Sequence, residues 1–228
     1  MQGETTADGR GAFRDSRWVA ALELLVVPLL LWLHAAGLFP KPKLPLLLLG
    51  WLSLWLRGVG WRRIGLTRPR SWPVTVASAI LIGLAYDALD VGVILPLLRR
   101  LTGEALDLSQ FAGIEGNMGT LGLLLAVGWI SAAFPEELLY RGCYLNRAVD
   151  LFGRGRAGCA VSVALSSVVF GLAHHAQGVT GVYDNVIAGL LFAGLYLASG
   201  RNLWLPILAH GVIDTVSAVA LYLGFHPV

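Results

Sequence analysis

Long apolar stretches, separated by short basic or polar turns, run through this chain from about residue 18 to its end. Hydrophobic residues make up 56% of the 228 residues and charged residues only 14%. Soluble globular proteins are closer to half apolar and a quarter charged. Several stretches approach the roughly 20 apolar residues that a helix needs to cross a bilayer. The sequence therefore predicts an all-α, polytopic integral membrane protein.

We expect seven transmembrane helices, at about 18–39, 44–56, 72–98, 118–152, 157–175, 182–198 and 203–225. Residues 1–17 are interpreted as a polar N-terminal tail and residues 18–228 as a single transmembrane domain. Most of the 17 lysines and arginines fall in the tail and in the second and fourth loops. This distribution predicts that the N-terminus is inside. Because membrane topology accounts for the positive charge, the expected partner is the lipid bilayer and not nucleic acid.

Three short patterns place ionisable side chains inside, or at the edge of, predicted helices. They are EExxxR at 136–141, FxxxH at 170–174 and HxxxD at 210–214. A charged group within a membrane is energetically costly and is therefore usually functional. These patterns are the first candidates for chemistry.

The spacing within the patterns predicts which side chains share a helix face. Glu137 and Arg141 are four residues apart and can form an ion pair within one helix. Glu136 points about 100° away from Glu137 and is free to face a cavity. His210 and Asp214 also share a face, and an aspartate in that position can orient a histidine ring.

The patterns can meet only if the helices bring them to one depth. Glu136 lies 16 residues, or about 24 Å, before the expected end of its helix at residue 152. His174 lies 17 residues, or about 26 Å, after the expected start of the next helix at residue 157. A turn at 153–156 would therefore bring the two level. His210 reaches the same depth only if this hairpin projects beyond the membrane.

These three patterns, in this order, resemble those of the CPBP family of intramembrane proteases, which includes the type II CAAX prenyl endopeptidase. The resemblance covers about residues 119–224 and implies a catalytic core at about 118–225. It implies hydrolysis of a peptide bond near the membrane surface, in a peptide or protein substrate with a membrane-associated segment. Glu136 would be the general base that activates water, with His174 assisting.

The resemblance also implies roles for the other residues of the patterns. Glu137 and Arg141 would brace the helix and neutralise charge. His210 and Asp214 would stabilise an oxyanion, or Asp214 would hold the second histidine in place. Because an ionised aspartate cannot donate a hydrogen bond, orienting His210 is the favoured role for Asp214.

A metal cofactor is the open alternative. Glu136, His174 and His210 could supply two histidines and one carboxylate to a zinc ion. The chain has no HExxH pattern, however, and the ligands would come from three helices. A metal-free glutamate mechanism is therefore favoured over zinc.

Two other classes of function compete with the protease. One is a non-catalytic membrane scaffold or immunity protein that keeps the patterns for structure. The other is a proton-coupled transporter that uses Asp87 and Asp90, which lie three residues apart in the third predicted helix. Against transport, the chain shows no internal repeat and no pair of interrupted helices. Residue usage typical of a GC-rich genome predicts a bacterial plasma membrane as the location.

Overall fold

The computed structural model describes residues 16–39 and 41–226, which contain helices and no strand. Residues 1–15, and with them nearly all of the expected N-terminal tail, lie outside the described residues. Seven main helices follow one another in the described part of the chain: α1 Arg17–Ala35, α2 Lys43–Leu56, α3 Trp72–Thr102, α4 Met118–Phe152, α5 Arg156–Leu172, α6 Gly178–Ala198 and α7 Trp204–Tyr222.

Capping residues and glycines set several helix ends. The Ser16 hydroxyl accepts a hydrogen bond from the backbone N–H of Val19 at the start of α1 (3.3 Å). The Asn117 side chain accepts one from the N–H of Thr120 at the start of α4 (3.1 Å). Such caps satisfy N–H groups that have no partner within the helix. α4 ends at Gly153, whose φ of 97° is a conformation that other residues rarely adopt.

Five of these helices are long and apolar enough to cross a membrane: α1, α3, α4, α6 with the turn before it, and α7. α2 and α5 are apolar but shorter, at 14 and 17 residues. Many large apolar side chains on the outside of the bundle are exposed, among them Trp18 and Trp32 of α1. The prediction of an all-α integral membrane protein is confirmed. The count of seven spans and the orientation of the N-terminus stay predictions.

Small residues bring α5 and α6 into close contact. A Cβ added at Gly171 of α5 would lie 2.5 Å from the carbonyl oxygen of Val182. A Cβ at Gly189 of α6 would lie 2.9 Å from the Cα of Ser167. Helices in membranes commonly pack through such small residues. This packing brings the end of α5 and the middle of α6 next to α4.

Two further contacts fix the helices around α4: one joins α4 to α1, and the other joins α7 to α3. The Tyr144 hydroxyl of α4 donates a hydrogen bond to the carbonyl oxygen of Leu24 in α1 (3.1 Å). α7 packs along the first part of α3, where Gly83 accommodates Val212. α2, α5, α6 and α7 all contact the middle of α4, where the two glutamates lie.

Candidate active site

The two adjacent glutamates lie on a single α-helical turn, Phe134–Glu137, between two π-helical segments of α4. These segments are Gly128–Ala133 and Leu138–Leu145. π-helical segments add a residue to a turn and occur frequently at functional sites. α4 is continuous, as predicted, but the two segments change the rotation of its faces relative to a regular helix.

Glu137 and Arg141 form the ion pair that their spacing predicts. Both side chains are completely buried, and Nη1 of Arg141 donates to Oε1 of Glu137 (2.7 Å). Nη2 of Arg141 donates to the backbone carbonyl of Gly189 in α6 (3.1 Å). The guanidinium also lies over the ring of Phe170, 4.4 Å from its centroid. A buried arginine needs such neutralisation and hydrogen bonding, because removing its charge from water is costly.

His210 joins this pair from α7. Its Nδ1 lies 3.0 Å from Oε1 of Glu137, and because an ionised carboxylate only accepts, the imidazole donates. Its ring stacks on Phe192, with 4.6 Å between the ring centroids. We call Glu137, Arg141 and His210 the buried network. His210 thus lies at the same depth as the glutamates, as a shared site requires.

Asp214 approaches the other side of the His210 ring less closely. Its Oδ1 lies 3.6 Å from Nε2 of His210, which is too long for a hydrogen bond. The hydrogen bond that fixes the ring therefore comes from Glu137, and the favoured role of Asp214 has no direct bond behind it. Asp214 packs instead against Gly128, where a Cβ would lie 3.4 Å from its carboxylate.

His174 lies just past the end of α5, which finishes at Leu172 instead of continuing to residue 175. Its Nδ1 donates to the carbonyl of Phe170 (2.9 Å), one of the last carbonyls of the helix. Because that carbonyl can only accept, Nδ1 carries the hydrogen and Nε2 of the neutral ring has a free lone pair. Phe170 touches both histidines: its ring centroid lies 4.8 Å from that of His174 and 6.0 Å from that of His210.

Glu136 is buried, with 7% of its surface exposed. It interacts electrostatically with both His174 and His210. Its Oε1 lies 2.6 Å from Nζ of Lys43 in α2. Its Oε2 has no hydrogen-bond partner among the described residues. We call Lys43 and Glu136 the open pair.

Lys43 is the residue at this site that the sequence analysis missed. In the sequence it is one of two lysines in a short proline-containing turn, and a positive charge beside a predicted span indicates only membrane topology. No spacing pattern connects residue 43 with residue 136. Phe192, which stacks on His210, was missed for the same reason, since an aromatic residue in an apolar helix carries no functional signal of its own.

The three proposed zinc ligands do not converge in a way that fits a metal ion. Among the described residues, no group of three or more histidine, cysteine or acidic side chains is placed to hold one. Nδ1 of His210 is directed at Glu137 and Oε1 of Glu136 at Lys43. We therefore derive no step of the chemistry through a metal.

Asp87 and Asp90 lie beside the site and not in it. Asp90 begins a third π-helical segment, Asp90–Ile94, and it interacts electrostatically with Asp184 in α6. Asp87 interacts electrostatically with Asp214. A third aspartate, Asp184, therefore lies close to this pair.

Taken together, the fold and the site define a polytopic helical membrane protein with carboxylates and two histidines gathered between its helices. Residues 118–216 match the family model described as Type II CAAX prenyl endopeptidase Rce1-like, which confirms the predicted relationship to the CPBP family. The family match implies a protease. No curated protein and no solved structure matches the chain significantly. The matched segment runs from the start of α4 into α7 and does not include Lys43.

Proposed function

We propose that this protein is an intramembrane endopeptidase that hydrolyses a peptide bond near the membrane surface, with water activated by Glu136 and assisted by His174. The observation that carries the proposal is the position of Glu136, which is buried, faces both His174 and His210, and has an Oε2 without a hydrogen-bond partner among the described residues. A buried carboxylate oxygen without a hydrogen bond is costly unless something else binds there. A water molecule is the simplest group that would satisfy it.

The surrounding groups support a division of roles. Oε2 of Glu136 accepts a proton from water, and the water oxygen attacks the carbonyl carbon of the peptide bond. The C–N bond of the resulting tetrahedral intermediate then breaks as the proton passes to the leaving nitrogen. Nε2 of His174, with its free lone pair, hydrogen-bonds the water in the first step and relays the proton in the second. The products are a carboxylate and an amine.

His210 is suited to stabilise the developing oxyanion. Its Nδ1 is fixed by Glu137 (3.0 Å), so its ring orientation is set before substrate binds. When Nε2 carries a proton, it donates to an oxygen that gains negative charge in the transition state. The stacked contact with Phe192 (4.6 Å) keeps the ring from rotating, which such a preorganised donor requires.

The proposed substrate is a peptide or protein with a membrane-associated segment. The matched family is described by CAAX prenyl substrates, and we carry that substrate class over as the first probe. The proposed location is the plasma membrane of a bacterium. A non-catalytic scaffold would need the buried network but has no use for a second buried carboxylate that faces two histidines.

The test is cleavage by the purified protein in liposomes of a quenched fluorescent peptide with a farnesylated CAAX end, with an unprenylated copy alongside. Glu136→Gln keeps the size of the side chain but removes the base. We expect turnover to fall by about 10³-fold while the unfolding temperature in detergent stays close to that of the wild type. Glu115→Gln, at an exposed glutamate, is the matched control and should cleave normally.

Retained cleavage by the Glu136→Gln protein would contradict the mechanism. If the wild type cleaves neither peptide, the prenyl substrate class is wrong for this chain, and the scaffold alternative gains support.

A further inference from the structure

Lys43 is the first residue of α2 and comes from outside the segment that matches the family. The positive end of a helix dipole lies at the N-terminus, so a lysine in the first turn is unfavourable there. Its own helix therefore does not explain its position. The explanation lies in what its side chain reaches on α4.

The ammonium group of Lys43 has two acceptors on α4. Nζ lies 2.6 Å from Oε1 of Glu136 and donates to the backbone carbonyl of Ser131 (2.9 Å). Ser131 is four residues before Pro135, and a proline has no N–H with which to form the usual helical bond to that carbonyl. Pro135 thus cannot supply the α-helical hydrogen bond to the Ser131 oxygen, which accepts one from Lys43 directly beside the glutamate turn.

This pair is the one close ionic contact of Glu136 with a lysine or arginine among the described residues. Arg141, the other cation nearby, is directed at Glu137 (2.7 Å). The Lys43 side chain is 45% exposed, whereas that of Glu136 is 9% exposed. The lysine therefore approaches the carboxylate from the open side of the site, and the free Oε2 is left for the interior.

We propose that Lys43 is a positioning residue: it holds Oε1 of Glu136, so that Oε2 is the oxygen presented to water, and it keeps the buried carboxylate charged. An ammonium group this close favours the ionised form of a carboxylate. A protonated Glu136 could not accept a proton from water. This inference rests on the proposed role of Glu136 as the base.

Other charged or titratable groups also act on Glu136 and must stay constant in any test. They come from the same helix and from the two neighbouring elements that face it: Tyr140, Arg141, His174, His210 and Asp214. A substitution at residue 43 leaves these side chains in place, but it also removes the charge that Lys43 directs at His174 and Asp214.

The kinetic test compares Lys43→Met with Lys43→Arg, using the quenched prenylated peptide in liposomes. We expect Lys43→Met to lower kcat by about 10- to 100-fold, the range for the loss of one charged hydrogen bond, with KM nearly unchanged. The acid limb of its pH–rate profile should move to higher pH, because Glu136 loses its ammonium partner. Lys43→Arg keeps the charge and should recover most of kcat. Lys41→Met, at the exposed lysine two residues earlier, is the control.

A second measurement needs no substrate. Infrared spectra of the protein in liposomes distinguish a carboxylate from a protonated carboxyl group, and the signal of Glu136 is identified by subtracting the Glu136→Gln spectrum. We expect a carboxylate in the wild type and in Lys43→Arg at neutral pH. A larger protonated fraction is expected in Lys43→Met.

The outcomes separate this inference from the proposed function. If Glu136→Gln is inactive but Lys43→Met matches the wild type in kcat, pH profile and infrared spectrum, the role of Lys43 is wrong and the protease proposal stands. If Glu136→Gln still cleaves, the base is wrong and both proposals fail.

Discussion

The two adjacent glutamates of α4 have opposite surroundings. Glu137 belongs to the buried network, in which Arg141 and His210 both contact one of its oxygens. Glu136 belongs to the open pair, in which its cation is a half-exposed lysine instead of a buried arginine. Two identical side chains next to each other thus become a structural counter-ion and a candidate base.

Helix geometry explains why neighbours diverge in this way. Consecutive side chains on a helix point about 100° apart, so Glu137 faces α6 and α7 while Glu136 faces α2 and the end of α5. All three residues of the buried network lie within the segment 118–216 that matches the family. The open pair, in contrast, includes Lys43 from α2, which lies outside that segment. The comparison teaches that neighbouring glutamates receive their partners from different parts of the bundle: α4 and α7 for Glu137, and α2 for Glu136.

The largest effect is expected from Arg141→Met. This substitution leaves Glu137 as a buried charge without its arginine, and removing one partner of a buried ion pair costs about 3–5 kcal/mol. The measurement is the midpoint of unfolding in detergent. Arg154→Met is the control, because Arg154 is 73% exposed and exposed pairs contribute about 0–1 kcal/mol. Equal stability of the two variants would show that the network does not hold the bundle together.

His174→Gln tests the other side of the comparison. We expect kcat to fall about 10²-fold, because the side chain loses the ring nitrogen that relays a proton, with little change in stability. The readout is cleavage of the quenched peptide together with the unfolding midpoint. His226→Gln, at an exposed histidine, is the matched control. A variant that unfolds early but cleaves normally when folded would place His174 with the structural residues.

The smallest effect is expected from Asp214→Asn. Because Glu137 supplies the hydrogen bond to His210 and Asp214 stays 3.6 Å away, we expect a loss of less than about tenfold in kcat. His210→Ala provides the scale in the same assay. If Asp214→Asn loses as much activity as His210→Ala, then Asp214 is the residue that orients the ring, and the ranking of the two carboxylates is reversed.

Much of the fold could be predicted because helix positions follow from apolar length and from turn residues. The turn around Gly153 and the continuous helix through Glu136 are examples. The end of α5 at Leu172 was missed. There the His174 side chain donates to the Phe170 carbonyl, and the hydropathy of the sequence does not indicate such a contact. The π-helical segments were missed as well, because adding one residue to a turn changes hydrogen bonding but not composition.

Within the site, the Glu137–Arg141 pair could be predicted because its partners are four residues apart on one helix. The bond from Glu137 to His210 could not, since it joins residues 73 apart in the chain. The sequence favoured Asp214 as the residue that orients His210, because a spacing of four residues predicts a contact on one helix face and no such rule predicts contacts between helices. The third aspartate, Asp184, was missed for the same reason.

The sequence alone determined that this chain is a helical membrane protein and which patterns hold its ionisable groups, because bilayer length and helix periodicity are local properties. Only the tertiary structure decided which carboxylate bonds His210 and which lysine reaches Glu136. Those outcomes depend on how the helices pack, because the partner of a charged group within a membrane can come from a distant part of the chain.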